Sequence, residues 1–250
     1  MILYEYPFNE RLRTYLRLEH LFGRLGQLLP RDDAMDHHFA LMTIFEVMDV
    51  TSRADLKSDV LKELEKHKAH MAAYRGNPAI SEASLDAVLR QLEAAFDQLN
   101  QQLGKPGHEL TEHEGLMAIR SRAVIPAGTC SFDLPAYHAW QQGQAAARRA
   151  DLSRWATSLG PMAQAVGLLL QILRDSGKPQ KVVASAGQFQ QTLPQGRGFQ
   201  LLRLRIDESL GLVPEISANR LMMSVRLMRP EADGRLRPLH TNAAIFAFVG

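Results

Sequence analysis

Phe199-Gln200-Leu201-Leu202-Arg203-Leu204-Arg205-Ile206-Asp207 decides the fold. Leu202, Leu204 and Ile206 are apolar, and Arg203, Arg205 and Asp207 alternate with them. That two-residue period belongs to an antiparallel strand with one face buried and one wet. It returns in 220–228, where Leu221, Met223, Val225 and Leu227 oppose Arg220, Ser224 and Arg226. Residues 243–249 read as a more apolar strand and 182–184 as a short one. The wet face is expected to carry Arg203, Arg205, Arg220 and Arg226 together, and the Gly- and Gln-rich stretch 187–198 to form a mobile loop between strands. Upstream of Ser176-Gly177-Lys178-Pro179 the period is helical instead. Apolar residues recur at helical spacing through 12–29, 35–48, 56–74 and 85–103, then from Leu116 and through 162–173. Breaks fall at Pro30, Gly76-Asn77-Pro78, Gly104-Lys105-Pro106-Gly107 and Pro126-Ala127-Gly128. Ser81 or Ser84 is placed to cap the fourth helix, and several helices are expected to exceed 20 residues, which suits a bundle or a dimer seam. The class is α+β: a multi-helix, bundle-like domain over residues 1–177 and an antiparallel β domain over 178–250. The opening Ile2-Leu3-Tyr4-Glu5-Tyr6 reads as a strand that joins the sheet from the other end of the chain.

Composition narrows the function. The chain has 250 residues, 46% of them hydrophobic and 22% charged, with a net charge of +2, as an ordinary globular protein does. A lone cysteine, Cys130, excludes an intramolecular disulfide and any multi-cysteine metal site. The N-terminus lacks the basic start and long apolar run of a signal peptide. The most apolar stretch, 162–173, is shorter than the roughly 18 residues of a membrane span. A soluble, cytoplasmic protein without membrane insertion is expected.

The first helix carries a ridge. Arg13, Arg17, His20 and Arg24, spaced i, i+4, i+7 and i+11, fall within a wedge of roughly 60°. Leu12, Tyr15, Leu16, Leu18, Leu21, Phe22, Leu25, Leu28 and Leu29 fill most of the remaining circumference, so this helix is deeply packed and exposes an arginine stripe. The stripe is answered either by acidic residues of neighbouring helices or by a partner. Glu19 lies inside the apolar arc and is expected to be buried and paired with an arginine.

Cys130-Ser131-Phe132-Asp133-Leu134-Pro135-Ala136-Tyr137-His138-Ala139-Trp140 could pass for a Cys/His catalytic site. A thiolate nucleophile needs a positioned imidazole. Pro135, however, suits the first position of a helix, with Asp133 as its cap. His138 then points from the first turn, away from the cysteine, while Tyr137 and Trp140 read as packing at the joint between helical and strand regions. Other chemistry fades. His108 and His113 are five apart rather than the zincin's four, His37 and His38 are adjacent and diverge, and neither a dinucleotide nor a P-loop glycine motif occurs. The chain is read as non-enzymatic, with no cofactor and no metal. The alternative is a basic-surface nucleic-acid-binding protein, which Arg120, Arg122, Arg148 and Arg149 permit. Against it, no reader module matches, and the strand face shows no aromatic stacking pattern.

Three blocks together resemble one family. They are Tyr4-Glu5-Tyr6-Pro7-Phe8-Asn9-Glu10-Arg11-Leu12-Arg13-Thr14-Tyr15-Leu16-Arg17-Leu18-Glu19, then Ile125-Pro126, then Cys130-Ser131-Phe132-Asp133-Leu134-Pro135 with His138 and Trp140. They look like the ZapD cell-division proteins, and the likeness runs along the whole chain, through Leu61-Lys62-Glu63-Leu64, Trp155, Ser158-Leu159 and Pro214-Glu215-Ile216-Ser217. The resemblance implies a helical domain plus a β domain and a homodimer formed through helices. It also implies binding to the C-terminal tail of the tubulin-like GTPase FtsZ, with cross-linking of its protofilaments at the mid-cell septum. Arg17 and His138 match positions of the family's charged FtsZ-binding surface. Arg13, Arg24, Arg120 and Arg122 are added to it on geometry and charge. Glu114 stands where relatives carry a basic residue, so either His113 takes over that wall or the site is less basic here.

Overall fold

The computed structural model describes residues 1–52, 55–177, 180–193, 199–219 and 221–249. Packing groups Met1–Thr14 with Leu170–Gly250 as one unit and Tyr15–Leu169 as the other.

The helical elements are α1 (Glu10–Leu28), α2 (Ala34–Thr51), α3 (Leu56–Ala72), α4 (Glu82–Gln101), α5 (His108–Thr111), α6 (Glu114–Ala123), α7 (Pro135–Gln142), α8 (Ala145–Thr157) and α9 (Gly160–Asp175). Local chemistry sets their starts. Asn9 Oδ1 accepts from Leu12 N (2.8 Å) at α1, Asp33 Oδ1 from Met35 N (2.7 Å) at α2, and Ser81 Oγ from Ser84 N (3.4 Å) at α4. Each satisfies a backbone donor that the first helical turn leaves unpaired. Pro135 opens α7 as expected, but its cap residue is Leu134, without a side-chain bond. Asp133 instead turns back to Arg122, 3.7 Å away, so the expected Asp133 cap gives way to an ion pair. Among the described residues α4, at 20 residues, is the longest helix, so none exceeds that length; the breaks fall slightly inside the apolar periods.

The strands are β1 (Ile2–Pro7), β2 (Gln180–Ala184), β3 (Gln188–Thr192), β4 (Leu201–Ile206), β5 (Val213–Ala218), β6 (Met222–Pro230), β7 (Leu236–Pro238) and β8 (Ala243–Val249). One antiparallel sheet has the order β1-β4-β8-β2; the second has β3-β6-β5, with β7 also paired to β6. The opening strand joins as expected, with Ile2 opposite Ile206 and Tyr6 opposite Leu202. Leu202, Leu204 and Ile206 face a core shared with Met223, Val225 and Leu227 of the other sheet and Ile245 and Ala247 of β8, with Tyr4, Tyr6 and Phe8 packed on it. Burial at about 25 cal/mol per Å² of apolar surface is what holds the two sheets over one core.

Three strand expectations are corrected. Residues 188–192 form an edge strand rather than loop. Gln188-Phe189-Gln190-Gln191-Thr192 carries polar residues on both faces, which hides its period, and pairs with β6, with a single further bridge from Gln188 to Ser185; 194–198 lie outside the described residues. Leu221 precedes β6 and is exposed instead of sharing the buried face. The arginines do not form one wet face, because β4 and β6 belong to different sheets; Arg220 lies outside the described residues. Arg203 is moreover engaged. Its guanidinium and that of Arg174 bracket the half-buried Glu5 carboxylate at 3.0 and 2.6 Å. Arg226 pairs with Glu215 across β5 and β6 at 3.5 Å.

Candidate functional site

Within the helical unit, α2 is the organising element. Its inner faces bury Ala40, Leu41, Ile44, Phe45, Val47 and Met48. Its outer stripe runs Met35, Phe39, Met42, Glu46 and Asp49, spaced i, i+4, i+7, i+11 and i+14, with only Met42 half-buried and the rest exposed or nearly so. Arg24 reaches this stripe from α1, its Nη2 2.5 Å from Glu46 Oε1 and its Nε 2.9 Å from Thr43 Oγ1. Arg120 reaches it from α6 and bonds Asp49. Thr43 and Asp49 lie about 120° apart around the helix, so the two arginines approach from opposite flanks.

α7 is fixed against α2 by aromatic packing. The buried Tyr137 hydroxyl lies 2.8 Å from His38 Nδ1, and its ring stacks on Trp140 with centroids 5.6 Å apart. Trp140 Nε1 donates to Asp151 Oδ2 (3.0 Å), and Trp140 in turn packs on Trp155. Tyr137 and Trp140 therefore pack inside the helical unit, not at a joint with strands, because their partners come from α2 and α8. Burial lowers the pKa of His38 below its ordinary 6.5 and pushes the Tyr137 phenol up. A histidine whose folded value is depressed binds its proton more readily when unfolded. Its contribution to stability is complete above pH 6.5 and is lost as pH falls below that value. A small fall in Tm between pH 7.5 and 5.5 is expected, and it should flatten in His38→Asn, whose amide can still meet Tyr137; thermal melts of both proteins check this.

The loop between α6 and α7 folds back on α6. Gly128 N donates to Ile125 O (2.9 Å), and Asp133 N donates to Cys130 O (3.0 Å). Gly128 is required by close approach, since a Cβ there would lie 2.4 Å from Arg122 O and 2.8 Å from Ile125 Cβ. Gly128→Ala is expected to cost about 1–3 kcal/mol, as overpacking against backbone does, read as a lowered urea midpoint. The loop leaves Phe132, Val124 and Ile125 exposed beside the Arg122–Asp133 pair.

The residues singled out from sequence now separate. Arg17 and His20 are exposed on α1, and His138 is exposed on α7; among the described residues no acceptor holds any of the three. Arg24 and Arg120 are exposed only in part and tied to Glu46 and Asp49, and the exposed Arg122 is tied to Asp133. Arg13 lies on the stretch of α1 grouped with the β unit, where it pairs with Glu10 at 3.2 Å. Glu19 is half-buried rather than buried. His113 accepts at Nδ1 from Leu116 N (3.2 Å), which caps α6, and sets its ring edge-on to Trp155, next to the exposed Glu114. Cys130 is half-buried, and among the described residues no histidine is shown bonded to it. Among the described residues no three His, Cys, Asp or Glu side chains gather as a metal site, and no single helix is long and apolar enough to cross a membrane.

Sequence reading missed Phe39, Met35, Glu46 and Asp49 as surface. α2 is apolar on so much of its circumference that its outer stripe carries little periodic signal. It also missed a buried hub. Arg148, only 6% exposed, donates from Nε to His37 Nδ1 (2.9 Å), from Nη1 to Gln141 O (2.9 Å) and Gly143 O, and from Nη2 to Asp32 O (2.6 Å). His37 Nε2 in turn meets Arg31 O at 2.6 Å. With Nδ1 accepting from Arg148, Nε2 is the nitrogen that carries the hydrogen.

A protein-family model described as ZapD, cell division protein, matches residues 16–226. The chain is 52% identical over 246 residues to a cell division protein ZapD from Ralstonia pickettii, covering 98% of this chain and 96% of that one. It is 50% identical, with the same coverage, to proteins of that name from Cupriavidus taiwanensis and Ralstonia nicotianae.

Proposed function

Since the chain belongs to the ZapD family of cell-division proteins, we propose that it binds the C-terminal tail of FtsZ and, as a homodimer, bundles FtsZ protofilaments at the mid-cell septum. The observation that carries the reading is Arg17, an exposed guanidinium without a partner among the described residues, on a helix whose Leu12, Tyr15, Leu18, Leu21 and Leu25 are buried. A fixed helix holding an unsatisfied, permanently charged fork is preorganised for a carboxylate.

Arg17 and His138 make the primary contacts in this reading. Arg24, Arg120 and Arg122 frame the surface, each exchanging a carboxylate of its own chain for one of the tail. Such surface pairs are worth about 0–1 kcal/mol, so the exchange is nearly neutral. Arg13, already bonded to Glu10, contributes least. Phe39 and Met35 on the outer stripe of α2 supply apolar contact once charge has brought the tail in. A dimer offers two such surfaces, and a filament displays many tails. Bivalency then turns modest single-site affinity into cross-linking. No covalent chemistry is required, and the protein acts as a non-enzymatic, cytoplasmic factor.

Titration of a labelled FtsZ tail peptide by fluorescence anisotropy tests the reading. Saturable binding that weakens between about 50 and 200 mM salt is expected, because exposed charges are screened within about 10 Å. His138→Ala should weaken it several-fold while leaving the melt unchanged; tail affinity unaltered by that change would remove His138 from the surface.

A further inference from the structure

The first sheet carries a second surface, set by its register. Leu3 stands opposite Arg205, Arg205 opposite Phe246, and Phe246 opposite Lys181, so these four residues form one row across all four strands. Their strand neighbours Tyr4, Leu204, Ile206, Ile245, Ala247 and Val182 belong to the core, which places the row on the outer side. Strands about 4.8 Å apart put Arg205 and Lys181 about 10 Å from each other, with the ring of Phe246 between them. Phe246 keeps 37% of its surface exposed. One row along, Phe248 is covered by the guanidinium groups of Arg203 and Arg205, 5.4 and 5.2 Å from its centroid. Beside the row opens a concavity of ≈ 390 Å³ whose lining includes Phe246, Lys181, Arg229, Asn242, Leu212 and Asp207. Among the described residues Lys181, Arg205 and Arg229 have no carboxylate partner. Asp207, the carboxylate at the concavity, is turned to its own loop, accepting from Ser209 N (3.0 Å) and Ser209 Oγ (2.8 Å).

We propose that this face binds single-stranded nucleic acid, one base stacking on Phe246 and the flanking phosphates meeting Lys181, Arg205 and Arg229. A cation, an accessible ring and a second cation in one row match a polymer that repeats a π face and an anion. An acidic peptide would answer the cations but leave the ring without a stacking partner. The outward ring of Phe246 also meets the objection that the strands carry no aromatic for stacking. β8 reads as apolar on both faces, so sequence does not show that the face of Phe246 and Phe248 is the outer one.

The test uses the full-length chain and a fluorescein-labelled oligothymidylate of about ten nucleotides, followed by anisotropy across a salt series. Saturable binding is expected, with log affinity falling by about 0.7 per phosphate contacted for each unit of log salt. Lys181→Ala should reduce that slope by about 0.7. Lys181→Glu and Arg229→Glu should each weaken binding by about tenfold or more. Phe246→Leu, which keeps apolar volume in the sheet, should weaken it about tenfold through the lost stack, at an unchanged salt slope. Thermal melts confirm that each variant is folded, and Arg17→Glu should bind the oligonucleotide normally. Absence of saturable binding at low salt overturns the proposal, as does equal binding by Phe246→Leu. Competition by polyglutamate as effective as that by the oligonucleotide would also overturn it and assign the face to acidic peptides.

Discussion

Reversing the charge of Arg17 with glutamate is expected to lower affinity for the FtsZ tail by about tenfold to a hundredfold. Hydrogen bonds to charged groups are worth about 1.5–3 kcal/mol, and a glutamate there adds repulsion to their loss. Bundling should fall further than single-site affinity, since cross-linking requires both surfaces of a dimer to be occupied together. The fold should be untouched. Arg17 is exposed and bonds no described residue, and surface changes of that kind stay within about 0.5 kcal/mol. Arg17→Lys keeps the charge but loses the planar fork, and should fall between the two. Arg90→Glu supplies the control. Arg90 is an exposed arginine of α4, so its reversal changes net charge equally and should leave tail binding as it was. Equal losses in Arg17→Glu and Arg90→Glu would mean that overall charge, rather than a site, governs binding.

Arg148→Ala is expected to destabilise the helical unit by about 3–5 kcal/mol. Among the described residues Arg148 is a buried cation with no carboxylate against it; its bonds are to three backbone carbonyls and the His37 ring. Gln141 and Gly143 lie at the C-terminal end of α7, where the helix dipole favours positive charge. Arg148 itself occupies the first turn of α8, where that dipole opposes a cation, so the tertiary bonds decide its placement. Truncation leaves those acceptors buried and unpaired, at about 1–3 kcal/mol for each that water cannot reach. Arg148→Met should be nearly as damaging, because it restores the stem and none of the bonds, and Arg148→Lys cannot span acceptors in four directions. A fall in Tm of roughly 10 °C is expected for a chain of this size. A melt within 2 °C of the parent, about what half a kcal/mol to one kcal/mol produces, would contradict this role.

How much was legible follows from where period and charge agree. α1 and β4 carry a clean period, so the buried Leu12, Leu18 and Leu25 of one and Leu202, Leu204 and Ile206 of the other are legible in sequence, although the opposite face of β4 is itself partly covered at Leu201 and Arg203. α2 has no polar half, and its Met35–Phe39–Glu46–Asp49 stripe emerges only once α6, α7 and α8 cover its other sides. Pairing was opaque for a different reason. Glu46, Asp49 and Asp133 are three carboxylates among many, and only tertiary packing selects Arg24, Arg120 and Arg122 as their partners. The expected basic sheet face failed because strand period reports which side a residue faces and not which sheet it joins. As an adjacent pair Arg148 and Arg149 read as surface charge, although neighbours on a helix point about 100° apart. One is buried, and the other holds Asp32 at the surface.

Tail-dependent bundling is the centre of the functional reading, and co-sedimentation addresses it most directly. The protein would be pelleted with assembled FtsZ and, in parallel, with FtsZ lacking its C-terminal tail, at about 50 and 200 mM salt. Pelleting with intact filaments only, and less of it at the higher salt, is the expected result. Equal pelleting with tailless filaments, or none with intact ones, would contradict it.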